Sequence, residues 1–141
     1  MKGVMALLGM RRSHKSVDML PPPRCIMLRA FTALHRPKPN AKHSITVGAR
    51  ALTKHAHRSS EEWWGVMKGS DSTKNTLARA KVLEVLDGAT WLNIHMLPHD
   101  VPVVEVRVLD GYGARWGADG GDFRGFLEPQ MPDGHEKGWR H

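Results

Sequence analysis

The chain has 141 residues, 21 Lys+Arg against 14 Asp+Glu, and a formal net charge of +7. That length holds one domain. The single cysteine, Cys25, excludes a disulfide framework and a Cys-based zinc site, and no apolar run approaches the roughly 18 residues a membrane-spanning helix needs. The charge divides near residue 60: residues 1–60 hold twelve Lys/Arg and one acid, Asp18, while residues 61–141 hold nine Lys/Arg and thirteen acids. The basic character belongs to the front, so nucleic acid, although possible, is not the favoured partner of the mildly acidic remainder.

Residues 1–60 read as a disordered basic leader of the organelle transit type: nearly acid-free, rich in Arg, Lys and His, with scattered Ser and Thr. A helix is predicted from Met27 to Arg36, with Met27, Phe31 and Leu34 on one face and Arg29, Thr32 and Arg36 on another. Pro37 and Pro39 end it. The expected destination is mitochondrial, with a plastid as the alternative, and cleavage is expected near Arg50 or Arg58. A basic arm that binds RNA or acidic lipid is the competing reading.

Residues 61–141 contain all five tryptophans (Trp63, Trp64, Trp91, Trp116, Trp139), Tyr112, and eleven of the fourteen glycines. Large aromatics suit a small core, and Trp63–Trp64 reads first as core packing. Ser72 or Thr73 can cap a helix running to about Leu86, with Ala78, Val82, Val85 and Leu86 on one face and a left-handed exit at Gly88. The period then changes. Leu92, Ile94 and Met96 alternate with Trp91, Asn93 and His95, and Val104, Val106 and Val108 alternate with Glu105 and Arg107, which predicts two half-buried strands. Residues 98–102 are read as the hairpin loop between them. Asp110-Gly111 turns into a third strand at residues 112–116, and Asp119-Gly120-Gly121 into a fourth at residues 123–128. The predicted fold is α+β: one helix followed by a four-stranded antiparallel meander, behind the leader.

Setting Met96 opposite Val104 pairs Ile94 with Val106 and Leu92 with Val108, and places His95 opposite Glu105 and Asn93 opposite Arg107. A two-residue slip keeps the same facing and changes only the partners. A tight turn at Asp110-Gly111 would put Arg115 on the apolar side, where an unpaired guanidinium is very costly. A bulge at Gly113 or a longer turn is therefore expected to return it to the polar side.

That polar face collects the candidate chemistry. His95, Glu105 and Arg107, with His135 from the tail, are the candidate catalytic residues. Trp91, Asn93, Arg115, Arg124, Glu128 and His141 are the candidate binding residues. A histidine and a carboxylate beside two or three arginines have the parts of a metal-independent phosphodiester-cleaving site. One group takes the proton from the attacking hydroxyl, an imidazole protonates the leaving oxygen, and arginine holds the developing charge. Small ribonucleases and ribonuclease toxins on curved antiparallel sheets are built this way, by analogy only. The plainer alternative is a solvated salt-bridge face worth about 0–1 kcal/mol per pair. His95, His99 and Asp100, and likewise His135, Glu136 and His141, lack metal-site spacing. No metal and no other cofactor is expected.

The runs Glu62-Trp63-Trp64-Gly65, Thr90-Trp91-Leu92-Asn93-Ile94-His95, Gly111-Tyr112-Gly113-Ala114-Arg115-Trp116, Phe123-Arg124-Gly125-Phe126-Leu127-Glu128-Pro129 and Gly134-His135-Glu136-Lys137-Gly138-Trp139-Arg140-His141 together resemble a small eukaryotic family of plant and algal type with variable organelle-like leaders. The resemblance implies a domain starting near residue 60 and carries no activity with it. The expected role is a small imported binding or assembly module using the Trp/His/Arg face for an unknown protein partner or anionic ligand. The alternative is a metal-independent, RNase-like phosphodiester hydrolase.

Overall fold

A computed structural model of the chain describes residues 19–36, 44–58 and 62–129. Along these, α1 (Arg24–Thr32), α2 (Val47–Arg58), a 3-10 turn at Glu62–Trp64 and α3 (Asp71–Asp87) precede β1 (Ala89–Leu97), β2 (Val101–Val108), β3 (Gly113–Gly117) and β4 (Phe123–Leu127). The strands form one antiparallel sheet in the order β1-β2-β3-β4, the meander predicted from the alternation.

α3 buries Ala78, Val82 and Val85, the face expected from its spacing. Its cap is Ser70 rather than Ser72 or Thr73, and the Ser70 hydroxyl accepts from the Thr73 N–H at 3.2 Å. Gly88 leaves the helix at φ −90, not in the left-handed conformation, with its N–H donating to the Glu84 carbonyl at 3.0 Å. The chain passes straight from there into β1.

The transit-segment reading does not survive. Met27 and Phe31 of α1 and Ala49 and Leu52 of α2 are buried in the same core as Trp64, Val82, Ile94, Val104 and Trp116. Phe31, fully buried, packs edge-on against Phe123 and Phe126 with ring centroids 4.8 and 5.8 Å away. A Cβ at Gly48 would lie only 2.3 Å from that ring, so α2 can approach Phe31 only with glycine there. The Trp116 indole N–H donates to the Met27 carbonyl at 2.9 Å, tying β3 to α1 inside the protein. The amphipathic spacing of Met27 and Phe31 was a packing signal. The helix ends at Thr32, however, and Leu34 is exposed beside a single bridge to Thr46.

The register is the two-residue slip. Ile94 pairs with Val104, Leu92 with Val106, Asn93 with Glu105, Trp91 with Arg107 and His95 with Val103. The cause is a tighter hairpin than expected: Val101 and Pro102 already belong to β2, opposite Leu97 and Met96. His99 and Asp100 take positive φ values of 67 and 59 to close it. On the other side of β2 the turn is longer than two residues, with the Val108 N–H bonded to the Tyr112 carbonyl at 2.9 Å. It sets Arg115 opposite Glu105, on the polar side. Gly113 is required there, because a Cβ would lie 2.8 Å from the Arg107 Cγ.

Candidate active site

Alternation sends Ile94, Val104, Val106, Ala114, Trp116 and Phe126 toward the helices. Asn93, His95, Glu105, Arg107 and Arg115 therefore share the opposite face of the sheet. At its centre is Glu105, whose carboxylate accepts three charge-capable donors. His95 Nε2 meets Oε1 at 3.0 Å, Arg115 NH2 donates to the same oxygen at 2.6 Å, and Arg107 Nε donates to Oε2 at 2.7 Å. Their side chains are 3% (Glu105), 8% (Arg107), 12% (Arg115) and 15% (His95) exposed, so the solvated salt-bridge face is replaced by a largely buried network. Arg107 is pinned further by donating from NH1 to the carbonyls of Gly111 and Glu128 at 2.6 and 2.8 Å. Two guanidinium charges against one carboxylate leave the cluster net cationic.

Burial pushes the Glu105 carboxyl up. The His95 hydrogen bond, the Arg107 charge and the hydrogen bonds from Arg115 and Arg107 outweigh it and hold the group well below the usual carboxylate range. A carboxylate held so low is a weak proton acceptor at neutral pH. Being acceptor-only, it fixes His95 in the tautomer that carries the proton on Nε2, leaving Nδ1 as the basic nitrogen. The Nε N–H of Arg115 is buried and has no hydrogen-bond partner among the described residues.

Beside the cluster lies a cavity of about 440 Å³ lined by Trp91, Arg107, Leu109, Gly111 and Pro129, among others. Trp91 sits opposite Arg107 at its edge. Asn93, buried, stands opposite Glu105. Two candidates are not brought to this face. Arg124 is exposed and pairs with Asp122 at 3.4 Å, and the Glu128 carboxylate turns to His55 Nε2 at 2.8 Å and the Trp64 indole N–H at 2.9 Å. His135 and His141 lie outside the described residues. No group of three or more His, Cys, Asp or Glu side chains that could hold a metal occurs among the described residues. His55 is the residue the sequence reading missed, because it lies inside the supposed leader. Its spacing from Leu52 and Ala49 along one helical face was the available signal.

The chain is thus a small α+β domain with helices on one side of a four-stranded meander and, on the other, a carboxylate that gathers one histidine and two arginines. Residues 34–128 match the CdiA C-terminal tRNase toxin domain family, and the chain belongs to that family. The toxic C-terminal tip of CdiA from Pseudomonas aeruginosa, solved at 1.75 Å in complex with its immune protein, is similar to it. The two are 34% identical with a TM-score of 0.54, over 63% of this chain and 95% of that one. No curated protein shows detectable similarity. The expected plant and algal kinship is thereby corrected to a bacterial toxin family, and the mitochondrial or plastid destination falls with it. The family match begins at residue 34, inside the segment read as a transit peptide.

Proposed function

We propose that the chain is a ribonuclease that cleaves tRNA, with the His95–Glu105–Arg107–Arg115 face as its active site. The binding-module reading gives way to the hydrolase alternative. The observation that carries it is the histidine held by an ionised carboxylate between two guanidiniums, in a chain of a tRNase toxin family. His95 Nδ1 takes the proton of the ribose 2′-hydroxyl, and the 2′ oxygen attacks the adjacent phosphorus. The bond to the 5′ oxygen breaks, leaving a 2′,3′-cyclic phosphate and a free 5′-hydroxyl. Arg115 and Arg107, whose guanidiniums flank the carboxylate, hold the phosphorane oxygens. Glu105 orients the imidazole and offsets the charge it gains, as the carboxylate does in a catalytic triad. The leaving oxygen needs an acid, and His135 is proposed for that part. Trp91, about 13 Å along β1 from His95, offers a stacking surface for a neighbouring base at the mouth of the cavity. Both Glu105 oxygens are engaged by cationic donors, which disfavours this carboxylate as a metal ligand. By the same kinship we extend to the chain an immune-protein partner.

The test is in vitro cleavage of purified tRNA by wild type and His95→Ala. The variant should fold normally and cleave about 10²–10⁴-fold more slowly, and wild-type products should carry 2′,3′-cyclic phosphate ends without added divalent metal. Unchanged cleavage by His95→Ala, or abolition of wild-type activity by a chelator, would remove this face from the chemistry.

A further inference from the structure

The buried row of α2 is Gly48, Ala49, Leu52 and His55, and its exposed row is Arg50, Lys54 and His57. The helix contains no acid. Three basic side chains thus line about 10 Å of helix axis on its outer side. α2 packs against β4, the edge strand of the sheet. Between them is a cavity of about 220 Å³ lined by Arg50, Lys54, His55, Arg124 and Gly125. Gly125 is the link. It pairs with Arg115 across β3 and β4, and a Cβ built on it would meet nothing within 4 Å. Gly125 thus puts no side chain of its own between Arg115 and the cavity that the cationic row lines.

We propose that this α2–β4 surface is a second RNA subsite, which grips backbone phosphates of a structured RNA outside the cleaved segment. The proposal rests on the reading of the sheet face as an RNA-cleaving site and extends it to how a whole tRNA, rather than any short ribonucleotide, is selected. Duplex nucleic acid carries about one charge per 1.7 Å of axis, so a row of this length meets several phosphates at once. Contacts to phosphates set orientation and affinity without reading bases. The row supplies such contacts, and the sheet face supplies the chemistry.

The experiment uses the full chain and the double reversal Arg50→Glu/Lys54→Glu, alone and combined with His95→Ala. Binding of tRNA to His95→Ala is followed by fluorescence anisotropy across a salt series. Adding the reversal should weaken binding at least 10-fold at 100 mM salt and flatten the log–log salt slope by about 1.5–2, the release expected of two phosphate contacts. In the His95-bearing background, kcat/KM on tRNA should fall by a similar factor, while kcat/KM on a dinucleotide stays within about two-fold. Equal loss on both substrates, or unchanged tRNA affinity, overturns the proposal. So does a loss confined to anionic lipid vesicles, which would mark a membrane surface instead. If the reversal lowers the melting temperature, Arg50→Gln/Lys54→Gln serves in its place, with a slope change of about 1.5–2 still expected because the same two phosphate contacts are lost. Binding that depends on the row in a chain that cleaves nothing would sink the ribonuclease reading and leave this one standing. Normal cleavage with row-independent binding would do the reverse.

Discussion

Glu105→Gln isolates the charge at the centre of the network while keeping its shape. The amide still offers one acceptor, but its NH2 must face a donor: His95 and Arg115 at Oε1, or Arg107 at Oε2. At least one hydrogen bond to a charged group is lost, about 1.5–3 kcal/mol. The larger cost is charge. Arg107 and Arg115, 8% and 12% exposed, would keep two guanidiniums in a site with no carboxylate to offset them. Removing one partner of a buried ion pair costs about 3–5 kcal/mol. For a domain of this size that lowers the melting temperature by about 10–25 °C. The pH dependence follows from the same group. Its folded-state titration lies below the 4.5 of the unfolded chain. Ionised Glu105 therefore contributes its full stability above about pH 5, and that contribution fades as the pH falls beneath 4.5. Wild type should lose melting temperature through this acid range, and Glu105→Gln should show a visibly flatter profile there. Thermal melts by circular dichroism from pH 3 to 8 measure both, with Arg124→Gln, an exposed pair, as a control expected to move by less than about 2 °C. A Glu105→Gln melt within a few degrees of wild type, or an unchanged acid slope, would refute the claim that this network holds the sheet face together.

Phe31→Ala should cost about 3–5 kcal/mol in urea denaturation, because the ring is fully buried between Gly48, Phe123 and Phe126. For the same reason a fragment of residues 61–141, lacking Met27, Phe31, Ala49 and Leu52, should show no cooperative unfolding transition. A sharp transition in that fragment would mean that α1 and α2 are dispensable. Arg115→Lys keeps a positive charge beside Glu105 but loses the second, partnerless donor on Nε. Cleavage of tRNA should drop about 10²-fold with the melting temperature within a few degrees of wild type. A large melting shift instead would assign Arg115 a structural part.

The sheet was legible because two-residue alternation is a local signal, carried by Leu92, Ile94 and Met96 and by Val104 and Val106. Facing follows from it directly, which is why His95, Glu105 and Arg107 fall on one surface by pattern alone, whereas Arg115 joined them only through the cost of burying a guanidinium. Register does not follow, since a two-residue slip leaves every facing intact. The choice was made by whether Val101 and Pro102 belonged to the loop or to β2. The persistently ionised state of Glu105 was equally invisible, because it depends on three donors arriving from β1, β2 and β3 at once.

The front half was misread for a different physical reason. Its buried rows are meagre: Met27 and Phe31 in α1, and Gly48, Ala49, Leu52 and His55 in α2. Against them stand Arg50, Lys54 and His57 on the outside of α2, so the cationic row dominated the composition and the apolar row hardly registered. A cationic amphipathic segment that addresses a negative membrane and a helix that packs a core while presenting Arg and Lys outward have the same local pattern. What separates them is whether the apolar row has a partner, and the partner of Phe31 lies at Phe123 and Phe126, nearly a hundred residues away. Once that contact is made, α1 and α2, with Arg24, Arg29, Arg50 and Lys54, belong to the folded domain and not to a detachable leader. The outward row of Arg50, Lys54 and His57 then counts as surface of the folded domain, which removes the charge objection to the nucleic-acid substrate proposed above.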